Sequence, residues 1–277
     1  MSKYSRTWAL IKGSWSILKE DKKLLLFPIL SGACCLVLVT PFILRMSEDG
    51  SDEFRPADDS NLDFLILSLE VFLIYFSLHF VVTFFNSAIV AYASQRIQGE
   101  DATLKEGLLA AVDCIFLIAG WAMLVATLGL IMSLIEDRLG RFGRVIVEIL
   151  GLTWAAVSFL VIPIMVIERR NAITATKESA ELVKEVWGEG LLSNIYFFRV
   201  FLYLCVPGAI IFVLGFMIAT NASVVICLAL SGIYFVVLII AHSSLKTIFQ
   251  TVLYYYAREN IVADGFRRDD LRRAFSK

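Results

Sequence analysis

Six apolar runs set the pattern of the chain, separated by segments in which apolar residues recur at helical spacing among charges. The runs lie near 24–44, 64–85, 114–135, 145–167, 200–220 and 222–245. Each supplies about the 20 helical residues needed to cross a hydrocarbon core about 30 Å thick, so the pattern predicts six transmembrane helices. Only Thr220-Asn221-Ala222 joins the last two, which reads as a tight helical hairpin. An even number of crossings puts both termini on one side. The second and sixth runs stay apolar and aromatic past the span, out to Ala93 and Ala257. Their inner ends are expected to tilt in the bilayer or to continue beyond it.

Composition points to the same solvent. With 58% hydrophobic residues, 13% aromatic residues and a mean hydropathy of +0.77, the chain is far more apolar than a soluble domain. Its net charge of −1 says little, because the sidedness of Lys and Arg sets orientation in a membrane. Eighteen Lys and Arg fall in the first 23 residues, the 95–112 and 168–193 loops and the tail, against five in the opposite loops. The expected protein is therefore a multi-pass membrane protein with cytoplasmic N- and C-termini. The dissenting segment is "EDRLGRFGR", which puts Arg138, Arg141 and Arg144 on the outer side. Residues 1–23 carry six cations and lead into a run long enough to span, so an uncleaved helix is expected rather than a signal peptide. The run of acids at 45–61 lacks the ordered spacing of a calcium loop and reads as a solvated connector.

The segments between spans are amphipathic. In the first, Tyr4, Trp8, Ile11, Trp15 and Leu18 recur at spacings of 4, 3, 4 and 3, with Arg6, Lys12 and Lys19 pointing elsewhere. Such a helix lies in the interface, with indole rings at the headgroups and cations toward anionic lipid. Ile173, Thr176, Ala180, Val183 and Trp187 repeat the pattern, and a weaker copy begins at Leu104 and Leu108. Trp8, Trp15 and Trp187 are the candidate interfacial anchors. These helices either hold lipid or cover the inner face of the bundle. The organisation is then an interfacial helix at 1–23, a membrane domain at 24–257 and a basic cytoplasmic tail at 258–277.

A repeat runs through this layout. "TFFNSAIVAYA" from Thr83 echoes "TIFQTVLYYYA" from Thr247, matching Phe85 to Phe249, Asn86 to Gln250 and Tyr92-Ala93 to Tyr256-Ala257. Two spans followed by an interfacial helix form the unit, three times over. The copies run in the same direction, unlike the inverted repeats of many transporters.

Little catalytic chemistry is available. The chain has two histidines, no H-E-x-x-H, no G-x-S-x-G and no glycine-rich phosphate loop. No enzyme activity, cofactor or metal is expected. Cys34, Cys35, Cys114, Cys205 and Cys227 all fall in or at the edge of apolar runs without C-x-x-C spacing, as small packing residues do. Polar residues within spans are functional candidates, since a central charge costs at least about 2.5 to 3.5 kcal/mol on insertion scales. Arg199, Lys246, Glu70 and Glu148 lie near span ends, where anchoring explains them. His79, Thr83 and Asn86 share one helical face, and His242, Lys246 and Gln250 form a similar stripe. Together they could line a polar seam for protons or ions. The plainer reading is hydrogen bonding between helices, worth about 0.6 to 2 kcal/mol each.

The stretch "PIMVIERRNAITATKESAELVKEVWGE", Pro163 to Glu189, resembles a Pro, Glu, Ser, Trp pattern of uncharacterised six-span bacterial membrane families. These include relatives of the membrane domain linked to glycerophosphodiester phosphodiesterases. The resemblance implies an all-α, polytopic transmembrane bundle with no settled activity, and it transfers no functional residue. The expected role is a non-enzymatic membrane scaffold or regulatory component acting through inner-face amphipathic helices. Its partners would be membrane lipids, with other membrane proteins or a second copy of the chain left open, and no nucleic acid. The alternative is a small channel or transporter using the seam on the second and sixth spans.

Overall fold

A computed structural model describes residues 3–48, 61–186, 191–218, 221–263 and 266, and among these it contains helices and turns but no strand. The helices are α1 (Lys3–Glu20), α2 (Leu26–Glu48), α3 (Asn61–Ile97), α4 (Leu104–Asp113), α5 (Ile115–Val157), α6 (Val161–Ile167), α7 (Ala172–Val186), α8 (Leu191–Met217) and α9 (Asn221–Glu259). A 3₁₀ turn, Lys22–Leu25, links α1 to α2. Among the described residues, five helical stretches are long and apolar enough to cross a membrane: Lys22–Leu44, Ser68–Ile97, Ile115–Glu136, Arg138–Ile167 and Val224–Glu259. Val200–Gly215 within α8 is a shorter apolar helical stretch. Many large apolar side chains of these helices face outward, Val37 and Phe116 among them. Such a surface suits lipid and would be costly in water.

The fold divides into two units. The first comprises Met1–Pro28, Ala93–Asp101 and Glu181–Lys277; the second comprises Ile29–Tyr92 and Ala102–Ala180. In the first, α8 and α9 form an antiparallel pair. Phe201 of α8 meets His242, and Leu204 meets Tyr234, so numbers rise on one helix as they fall on the other. Pro207 sits inside α8. Lacking an N–H, it loosens the local helical ladder, and the Tyr234 hydroxyl donates to the nearby Leu204 carbonyl at 2.6 Å. Gly208 lets this pair approach, since a Cβ there would stand 2.7 Å from the Tyr234 ring. Helix α1 packs on α8 and α9, burying Ser14 and Leu18.

In the second unit α5 folds back on itself at Gly140, whose φ of 54° and ψ of −124° are not helical. Only glycine adopts that conformation readily. The turn falls within the 136–144 segment that the charge pattern marked as a connector. Gly143 lets the two arms close, because a Cβ there would lie 2.5 Å from the Ile135 carbonyl oxygen. Further along the arms, Trp121 and Trp154 stack with ring centroids 5.5 Å apart.

Candidate functional site

The most densely built polar feature lies where α5 gives way to α6 and α7. The sequence pattern predicts one unbroken span at 145–167, yet the helix breaks at Ser158–Leu160. Pro163 accounts for the break, since its ring would clash with the carbonyl four residues earlier and it offers no N–H. Tight turns replace the ladder, with Phe159 N–H on Ala156 and Val161 N–H on Ser158. The Leu160 N–H has instead a side-chain acceptor, the hydroxyl oxygen of Ser179 on α7 at 3.2 Å. Both Leu160 and Ser179 are buried. The Pro and Ser of the quoted motif are thus two halves of one device.

Its Glu belongs to the same hairpin. After Glu168 the chain reverses through Arg169, held at φ 57°, and Asn171 caps α7 by accepting from the Thr174 N–H at 2.9 Å. Arg170 reaches Glu168 at 3.7 Å and Glu178 at 3.4 Å, while Arg169 reaches Asp113 at 3.4 Å. Each cation here already has carboxylate partners, which describes a clamp on the hairpin rather than an open ligand site. Trp187, the motif's last member, lies outside the described residues.

A second polar knot, in the first unit, went unnoticed in the sequence. The buried Tyr255 hydroxyl hydrogen-bonds Ser94 at 2.6 Å and accepts from the Gln98 amide at 2.8 Å. It ties the end of α3 to α9, the two helices that carry the repeated stretch. The residues matched in the repeat do not make this bond. The neighbouring Gln95 has a buried Oε1 with no hydrogen-bond partner. The signal available beforehand was the run Tyr254-Tyr255-Tyr256 facing "YASQRIQ" in the other copy.

The candidate seam residues are distributed as follows. On α3, His79 stacks on Tyr75 at 5.0 Å, Thr83 is buried and Asn86 is half-buried. On α9, the His242 ring lies 4.4 Å from that of Phe201, Gln250 is buried and Lys246 is exposed. His79, Thr83 and Asn86 belong to the second unit, and His242, Lys246 and Gln250 to the first. Ser244, between His242 and Lys246 in sequence, is buried and its hydroxyl has no partner. Among the anchors, Trp15 is 51% exposed on α1; Trp8 lies in α1, but its side chain is outside the described set. The described residues contain no group of three or more His, Cys, Asp or Glu placed to hold a metal ion.

These features define a class: a helical protein with several helices of membrane-crossing length and apolarity. The family is narrower. The chain belongs to DUF6159, a family of unknown function, whose model matches residues 65–264. No curated protein and no solved structure matches the chain. Nothing in the match links it to the membrane domain of the glycerophosphodiester phosphodiesterases, so that part of the resemblance has no support.

Proposed function

We propose that the protein is a six-span integral protein of a bacterial inner membrane, with cytoplasmic termini, that acts as a non-enzymatic scaffold or regulatory component. It works through the short helices at the ends of its spans. The observation that carries this reading is the outward apolar surface of those helices. Trp15 on α1, Leu109 and Val112 on α4 and Ile173 on α7 are all exposed, beside the exposed cations Lys12 and Lys19 on α1 and Lys177 on α7. Apolar side chains flanked by cations favour an anionic membrane surface or a partner seated on it. On this view the repeat is architectural, setting equivalent helix ends at equivalent depths.

The rival reading is a proton or ion path, favoured by the unpartnered hydroxyl of Ser244 between His242 and Lys246. Purified protein in liposomes separates the two. A scaffold gives no proton or cation flux above empty liposomes, and gives photo-crosslinks to lipid or protein from probes at positions 15 and 173. Flux lost in His79→Ala or His242→Ala would sink the scaffold and establish the path.

A further inference from the structure

The two arms of α5 leave a groove of about 230 Å³ between them, lined by Leu128, Ile131, Ile135, Leu150, Trp154 and Val157 among others. Its one hydroxyl, on Thr153, is turned back to the Ile149 carbonyl at 3.0 Å. Water entering such a space finds no partners, so an apolar occupant is favoured. An α-helix about 10 Å across is too wide for a void of this size, whereas an extended acyl chain is not.

The rim supplies charge. Ile135 is one helical turn before Arg138, and the reversal at Gly140 brings Arg138, Arg141 and Arg144 together in seven residues. Arg144 is paired with Glu136 at 3.2 Å. Arg138 and Arg141 are exposed, with no ion pair described for either. Leu139 and Phe142, also exposed, are apolar residues on the same tip. The turn stands between two stretches of membrane-crossing length, Ile115–Glu136 and Arg138–Ile167, so headgroups are within its reach. These are the arginines that the side-to-side charge bias leaves unexplained.

We infer that the α5 hairpin holds one anionic phospholipid, its phosphate at Arg138 and Arg141 and an acyl chain in the groove between the arms. Guanidinium groups suit this task because they bind phosphate oxygens in a bidentate fork. The site is separate from the short helices on which the scaffold reading depends, so either can fail without the other.

The test is native mass spectrometry of the full chain, delipidated in detergent and titrated with phosphatidylglycerol or with phosphatidylcholine of the same acyl chains. One phosphatidylglycerol is expected to be retained at least about tenfold more strongly, since each cation near an anionic surface contributes on the order of a kilocalorie per mole. The preference should vanish in R138Q/R141Q. Ile131→Trp, which fills the groove, should abolish retention of both lipids while leaving the arginines in place. Equal retention of the two lipids by the wild type overturns the proposal, as does a preference that survives R138Q/R141Q. Should a variant misfold, the wild type at rising ionic strength still decides. A preference made by these arginines falls as salt screens them, and one that does not fall is against it.

Discussion

Ser179 and Tyr255 both place a hydroxyl inside the protein, but their surroundings give them different weights. The Ser179 oxygen is the acceptor for a buried N–H that Pro163 has cut from its ladder. In Ser179→Ala that N–H keeps no acceptor, which costs about 1 to 3 kcal/mol. Thermal unfolding in detergent should show a clear fall for Ser179→Ala and near-recovery for Ser179→Thr, which restores the oxygen. An unchanged transition in the alanine variant would mean that Leu160 finds another acceptor. Tyr255 bonds to groups nearer the surface: Ser94 is half-buried and Gln98 exposed. Both can turn to other partners when the hydroxyl goes, so Tyr255→Phe should cost less, about 0.5 to 1.5 kcal/mol. A larger loss than in Ser179→Ala would reverse that ranking. Neither role is written in local periodicity. Pro163 and Ser179 are both conspicuous in the motif, but only the fold shows that the one creates the donor the other satisfies.

Helices α5 and α8 are each bent or loosened at one residue and closed at another. In α5 the two jobs fall to Gly140 and Gly143. The second has the less tolerance, because a Cβ would meet the backbone oxygen of Ile135 rather than a movable side chain. Gly143→Val should therefore splay the arms and separate Trp121 from Trp154. The expected readout is loss of the near-ultraviolet dichroism of that indole pair while far-ultraviolet helix content holds. Retention of the pair signal would show that the turn can shift to admit the side chain. This hairpin was legible in the sequence, because a polar, glycine-bearing segment lay between two runs of spanning length. So was the continuation of α3 and α9 as helix beyond residues 85 and 245, because aromatic and apolar residues continue to Ala93 and Ala257. The break at Ser158–Leu160 was not, since the residues around it are apolar and hydropathy does not distinguish a kinked span from a straight one. The stripe expected on α7 shows the same limit. Of its members Ile173 is exposed and Val183 is buried, while Ala172, Ala175, Ser179 and Leu182 are buried outside the stripe. Small residues permit close packing that an apolar scale barely registers.

At the scale of the whole molecule, whether α8 crosses the membrane decides where the ends of the chain lie. Composition alone places Val200–Gly215 below the length of the other five stretches. Packing argues for a crossing. Phe201, Leu204 and Gly208 meet residues of α9 from His242 back to Tyr234, so α8 runs antiparallel beside a helix apolar enough to span. Its 27 residues reach about 40 Å at 1.5 Å per residue, more than the roughly 30 Å required. With Val224–Glu259 in the bilayer, a partner laid along it is in the bilayer too. Six crossings return the chain to its starting side, and five leave its ends apart. The excess of Lys and Arg in the first 23 residues and in the tail then favours the cytoplasm for both ends. The prediction is checked with single cysteines at positions 2 and 277, in a background where the five native cysteines are replaced. In intact bacterial cells neither should react with a membrane-impermeant maleimide, and in inverted vesicles both should. Labelling of one end alone from outside would leave α8 out of the count. Labelling of both from outside would keep six crossings but reverse them, placing the α5 turn in the cytoplasm and the larger set of Lys and Arg outside, against the charge rule.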